Sequence, residues 1–280
     1  MASAGIWRRG AHEVSLVRLY ALRAVALFFA VDGLFSKLPG LIHPDPASRG
    51  IIASLLAALW LSAFLVLRQP LRMMPIFLFE LVWKTLWLID YGAPQWLAGT
   101  GSPRLGRDLF EIGFFPLPIA LIIPWGYVWR HYVRRPADAS APPGAGQREA
   151  SDISAARRAL VRAAFLLAAI AGCVLVLPGL IRPDPAARGM LESMIAGLWL
   201  CALLGLLRPR QMVPILFFAF VATTLWMIDY GLPRALSGAA TPQLQSDFLA
   251  IAAGPILLGL VMPWTYVWRA FVKAPAERWR

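Results

Sequence analysis

Glu80 and Lys84 are the residues whose types and spacing most invite chemistry. They stand four positions apart inside a long apolar run, so on a helix they share a face, and Glu before Lys is the favourable order for an ion pair. Trp83 and Trp87 fall on the same side at helical spacing. Ionisable groups at membrane depth are costly, and they usually point into protein or a wet cavity. A carboxylate and an ammonium placed there could couple to a proton or bind an anionic or amphipathic ligand. Equally, they could neutralise each other and fix helix packing, since buried pairs can serve specificity with little net stability. Asp32, in the first apolar run, is grouped with them, so the candidate intramembrane polar site is Glu80, Lys84, Asp32, Trp83 and Trp87.

Other chemistries find little support. His12, His43 and His131 are far apart and lack metal-ligand spacing, and Cys173 and Cys201 sit in separate apolar segments as buried thiols. No phosphate loop, nucleotide fingerprint or nucleophile elbow is present. No catalytic residue, cofactor or metal is therefore expected, and no acid–base cluster recommends an enzyme acting on lipid. The two Pro-Asp-Pro turns read as helix starts, with Asp45 and Asp184 as N-caps and Pro46 and Pro185 at the first helical position. Ser102-Pro103 and Thr241-Pro242 carry the same start signal.

The elements that must position these residues follow from composition. Of 280 residues, 59% are hydrophobic and 15% charged, against about 45–50% and about 25% in an average soluble domain. Mean hydropathy is +0.63. A bilayer core needs ~20 mostly apolar residues per helix, and eight such segments are expected: 16–35, 50–67, 73–90, 109–129, 161–177, 189–207, 212–229 and 248–268. They are continuously apolar rather than alternating, which excludes a membrane β-barrel. Arg8 and Arg9 precede the first run, but no small-residue cleavage site follows it, so it reads as a retained helix. The fold class is all-α, a polytopic membrane protein.

The chain also repeats. Leu38-Pro39-Gly40-Leu41-Ile42 recurs as Leu177-Pro178-Gly179-Leu180-Ile181, an offset of 139. The same offset aligns Trp60 with Trp199, Trp87–Gly92 with Trp226–Gly231, and Pro124-Trp125 with Pro263-Trp264. No gap is needed from Leu38 to Arg130, and about half the positions are identical. Glu80 and Lys84 are exceptions, matched by Ala219 and Thr223. Each copy holds four spans, an even number, so both enter from the same side as a parallel repeat. The expected organisation is one four-helix unit over 1–135, a flexible Pro/Gly-rich linker over 136–151 and a second unit over 152–280, the two bundles facing each other as a pseudo-dimer.

Basic residues set the orientation. Of 27 Lys and Arg, 18 fall on the side of the termini and the linker, seven on the other side, and Arg23 and Lys84 lie within spans. The positive-inside bias then places both termini in the cytoplasm. This juxtamembrane scatter accounts for the net charge of +12 without a nucleic-acid partner, and lipid headgroups are the expected neighbours. The repeated Pro-Trp-X-Tyr-Val-Trp-Arg at 124–130 and 263–269 reads as an interfacial anchor, and Pro116, Pro118, Pro124, Pro255 and Pro263 interrupt the last span of each unit.

The motifs Pro39-Gly40-Leu41, Phe79-Glu80-Leu81-Val82-Trp83-Lys84 and Ile123-Pro124-Trp125 resemble a loose group of uncharacterised bacterial four-helix integral membrane proteins, here in tandem. That resemblance implies a bacterial inner membrane and brings no activity with it. The functions expected are a multi-pass protein binding or passing a small molecule between its repeats, or an accessory scaffold packing against another membrane protein.

Overall fold

A computed structural model describes residues 14–37, 50–101, 103–134, 153–175, 189–238 and 241–273. All regular elements among them are helical. Arg8 and Arg9, His12, His43, Ser102, the two Pro-Asp-Pro turns and the 136–151 linker lie outside the described residues.

In chain order the α-helices are α1 (Leu16–Asp32), α2 (Ile51–Arg68), α3 (Met74–Trp87), α4 (Ala93–Ala98), α5 (Leu105–Asp108), α6 (Pro116–Ile122) and α7 (Trp125–Val128). They continue as α8 (Ala155–Leu175), α9 (Met190–Leu207), α10 (Val213–Trp226), α11 (Leu232–Leu236), α12 (Pro242–Ile251), α13 (Ala253–Val261) and α14 (Trp264–Val267). Thr241 caps α12 as its sequence signals: the hydroxyl accepts a hydrogen bond from Leu244 N, and Pro242 occupies the first turn. Among the described residues, α2, α9 and the stretch Val213–Leu236 are long and apolar enough to cross a membrane. Two bent pairs raise the number from three to five if each is one span: Leu105–Ile122 with Trp125–Arg134, bent by 74°, and Ala253–Val261 with Trp264–Lys273, bent by 73°. The run through α3 carries Glu80, Lys84 and Asp90, and α1 is 17 residues long.

Each bend has a local cause. Pro124 follows Ile123, whose ψ of 126° is the extended conformation that a following proline imposes. Pro124 has no N–H to give the carbonyl of Ala120, four residues back. The neighbouring indole supplies the donor instead, Trp125 Nε1 reaching Ala120 O at 2.8 Å. The second bend repeats the device: Met262 has ψ 128°, and Trp264 Nε1 donates to Gly259 O at 2.8 Å. The Pro-Trp dipeptide thus breaks the helix and repairs the exposed carbonyl.

The described helices group into two compact units. One contains 14–19, 74–134, 162–175 and 189–212. In it α3 packs on α9 and on α6, with Gly197 of α9 against Phe79 and Trp83, and Gly205 against the Phe165 ring. Trp199 of α9 lies over Gly172, and its Nε1 donates to Ala169 O at 3.0 Å. Arg208, at the end of α9, donates through Nε to Tyr132 O (3.0 Å) and through Nη2 to Val133 O (2.9 Å), in the π-helical turn Trp129–Arg134.

The other unit contains 20–37, 50–73, 153–161, 213–238 and 241–273. Here α2 packs on α10, and α10 on α13. Trp226, Tyr230 and Leu244 form a buried cluster with Ile51, Met227, Phe248 and Ile251 against it. Trp60 of α2 lies over Gly33, its Nε1 donating to Ala30 O at 2.5 Å. Arg72 Nη1 donates to Ala270 O at 2.6 Å, inside the π-helical turn Trp268–Lys273. Loop arginines that mark topology in the sequence also cap helix-end carbonyls here.

Two predictions follow from these contacts. A methyl group added at Gly33 would sit 1.9 Å from Trp60, and one at Gly172 the same distance from Trp199. Gly33→Ala and Gly172→Ala should each cost about 1–3 kcal/mol by overpacking, read as a lower Tm in detergent. Gly126→Ala, whose added methyl would meet Arg130 only at an ordinary contact distance of 3.8 Å, should not lower Tm. Trp125→Phe and Trp264→Phe remove the donors at the bends and should each lower stability by about 1–3 kcal/mol in the same melt.

Candidate functional site

Helix α3 is apolar nearly throughout, which makes its two charges conspicuous. Glu80 is wholly buried (0% exposed) and Lys84 nearly so (6%). One turn apart, they meet as the sequence spacing predicts: Lys84 Nζ is 3.0 Å from Glu80 Oε2. The other carboxylate oxygen, Oε1, accepts a hydrogen bond from Trp83 Nε1 at 2.5 Å. No aligned hydrogen bond reaches Oε2, so on that oxygen the attraction is charge to charge.

Aromatic faces complete the enclosure. Lys84 Nζ lies 4.7 Å from the centre of the Phe115 ring and 5.4 Å from that of Trp83. Both are cation–π distances, which strengthen where water is excluded. Phe115 immediately precedes α6, and Pro116 and Pro118 start that helix. On the opposite side stands Gly197, where a side chain would bring its Cβ within 2.9 Å of Trp83 Cβ. Helix α9 can come this close to α3 because it has no Cβ there.

The other candidates fall differently. Trp87 is buried one turn beyond the pair, where it packs against Gly92 and pairs with the Tyr91 ring at 5.9 Å. Asp32, half-buried at the end of α1, belongs to the other compact unit. Among the described residues, no group of His, Cys, Asp and Glu gathers with the geometry to hold a metal. His131 is buried with its ring stacked on Tyr127 at 4.0 Å and its Nδ1 3.1 Å from the Tyr127 carbonyl.

Phe115 and Gly197 are site residues that the charge pattern alone does not reveal. Their signal is a coordinated change at the 139-residue offset. Glu80, Trp83, Lys84 and Phe115 correspond to Ala219, Ala222, Thr223 and Gly254, and Gly197 corresponds to Ala58. In that second setting Thr223 Oγ1 turns back to its own helix, 2.9 Å from Ala219 O and 3.1 Å from Phe220 O. A Cβ at Gly254 would lie only 3.0 Å from the Thr223 methyl, so α13 runs close to α10 there. One setting holds a carboxylate, an ammonium and two aromatic faces; the other is filled by small side chains and a close helix approach.

Comparison with protein-family models, with curated proteins and with solved structures gave no match to this chain. The chemistry therefore rests on geometry. The site is a buried ion pair enclosed by aromatic rings. Removing one partner strands the other. Glu80→Gln or Lys84→Met alone should cost about 3–5 kcal/mol, whereas Glu80→Ala with Lys84→Thr, the residues found at 219 and 223, should recover most of the loss. Thermal melts of the three variants in one detergent test this.

Proposed function

We propose that the protein is a multi-pass membrane protein of the bacterial inner membrane that binds or passes a small anionic or amphipathic molecule at the Glu80–Lys84 site. Its eight spans form a tandem pair of four-helix units, a pseudo-dimer with both termini cytoplasmic. The membrane assignment is supported by the long apolar helices and the orientation by the one-sided Lys and Arg. The duplication is supported by the hydrogen bonds that recur at the 139-residue offset: Trp60 to Ala30 with Trp199 to Ala169, and Trp125 to Ala120 with Trp264 to Gly259.

The observation that carries the ligand reading is the fully enclosed carboxylate with one oxygen lacking an aligned hydrogen bond, held by an ammonium under two aromatic rings. Ionisable groups at such depth mark ligand or proton pathways by default. An incoming anionic group competes with Glu80 for Lys84, while Phe115 and Trp83 offer faces to its apolar part. The site is bounded by α3 from one sequence half and α9 from the other. The enclosure itself favours a second reading, an accessory scaffold in which the neutral pair only fixes helix packing.

The test is water access. Glu80→Gln/Lys84→Cys, with Cys173 and Cys201 replaced by Ala, is reconstituted in lipid vesicles and treated with a small polar thiol reagent. The ligand reading expects modification of position 84 and, in the protein with Glu80 and Lys84 intact, binding of an amphipathic carboxylate such as decanoate that Lys84→Met abolishes. Complete protection from both sides of the bilayer overturns it and leaves the scaffold, whose signature is co-purification with another membrane protein.

A further inference from the structure

We infer that the two sequence halves exchange helices, so that each compact unit is built from both halves and neither half is complete without the other. The first unit joins α3–α7 of the first half to α9 and most of α8 of the second; the other joins α2 and most of α1 to α10–α14. The decisive point is reciprocity. Helix α3 packs on α9, and α10 packs on α2. Shifted by 139 residues, α3 (Met74–Trp87) becomes α10 (Val213–Trp226), and α2 (Ile51–Arg68) becomes α9 (Met190–Leu207). These are one contact made twice, with the roles of the halves reversed.

Such a contact is what a twofold interface produces, in which the same surface serves both partners. Phe79 and Phe218 are equivalent positions at the 139-residue offset, and both are wholly buried. The partner that fits the α3 face of one half is therefore the second-span helix of another copy of the same unit. The 136–151 linker then ties two interlocked chains together and does not separate two self-contained domains. This inference rests on the duplication proposed above and not on the ligand, so the labelling test can fail while this one succeeds.

The experiment uses the full chain in mild detergent, with a protease site inserted in the linker. Benzoylphenylalanine replaces Phe79, the protein is irradiated, the linker is cut, and the products are run under denaturing conditions. Exchange predicts a band of full-length mass with the crosslink on α9, and the same probe at Phe218 should mark α2. Crosslinks confined to one half, with two half-length bands, overturn it. A second reading needs no crosslink. Gly197→Ala brings a Cβ within 2.9 Å of the Trp83 Cβ, so it should lower Tm by several degrees, and Trp83→Gly, which removes that Cβ, should cost less in the Gly197→Ala background than alone. Strictly additive losses mean that the two residues do not touch, and the inference fails.

Discussion

An apolar surrounding offers no water to a backbone carbonyl that loses its helical partner, so the chain must supply the donor itself. That constraint organises the described structure. At six places among the described residues a tryptophan or an arginine meets a carbonyl: Trp125 and Trp264 at the two bends, Trp60 and Trp199 across to the preceding helix, Arg72 and Arg208 on the helix ends. The bends are tolerable because the indole follows the proline directly. Glycine serves the same end from the other side, since Gly33 and Gly172 clear the space through which Trp60 and Trp199 reach Ala30 and Ala169.

The same shortage of water governs the charges of α3. An unpaired carboxylate there would meet a desolvation cost of several kcal/mol, so its negative charge is answered within one helical turn. Glu80 receives an ammonium on one oxygen and an indole N–H on the other. The ammonium in turn faces the rings of Phe115 and Trp83. Pairing within one helical turn is what makes the two charges tolerable there.

Much of this is written in the sequence. The Glu80–Lys84 pairing follows from four-residue spacing, and the prolines at 124 and 263 mark where helices must bend. The repair by the adjacent indole is harder to read, because Trp beside Arg near a membrane surface already has a sufficient role as an anchor. Gly197 and Phe115 are illegible from charge or periodicity; only their joint change with Lys84 and Trp83 at the 139-residue offset points to them. The pairing of helices is the deepest loss. Two similar halves present similar faces, so apolar periodicity cannot tell packing within a half from packing across halves.

That ambiguity bears on how the site came to be single. In a symmetric pair of identical units, every interface position occurs twice, and a buried charge placed at one occurs at both. Joining the units in one chain frees the two settings to diverge, but only if the residues that touch change together although they lie in different halves. Trp83 with Gly197, against Ala222 with Ala58, is such a pair: the position that lacks a Cβ in one half lies against the Trp83 Cβ of the other, and the equivalent positions are both alanine. Charge follows the same division, with Glu80 and Lys84 on one side and Ala219 and Thr223 on the other. Helix exchange therefore places the polar site where each half contributes a wall, and asymmetry between the halves leaves one such site instead of two.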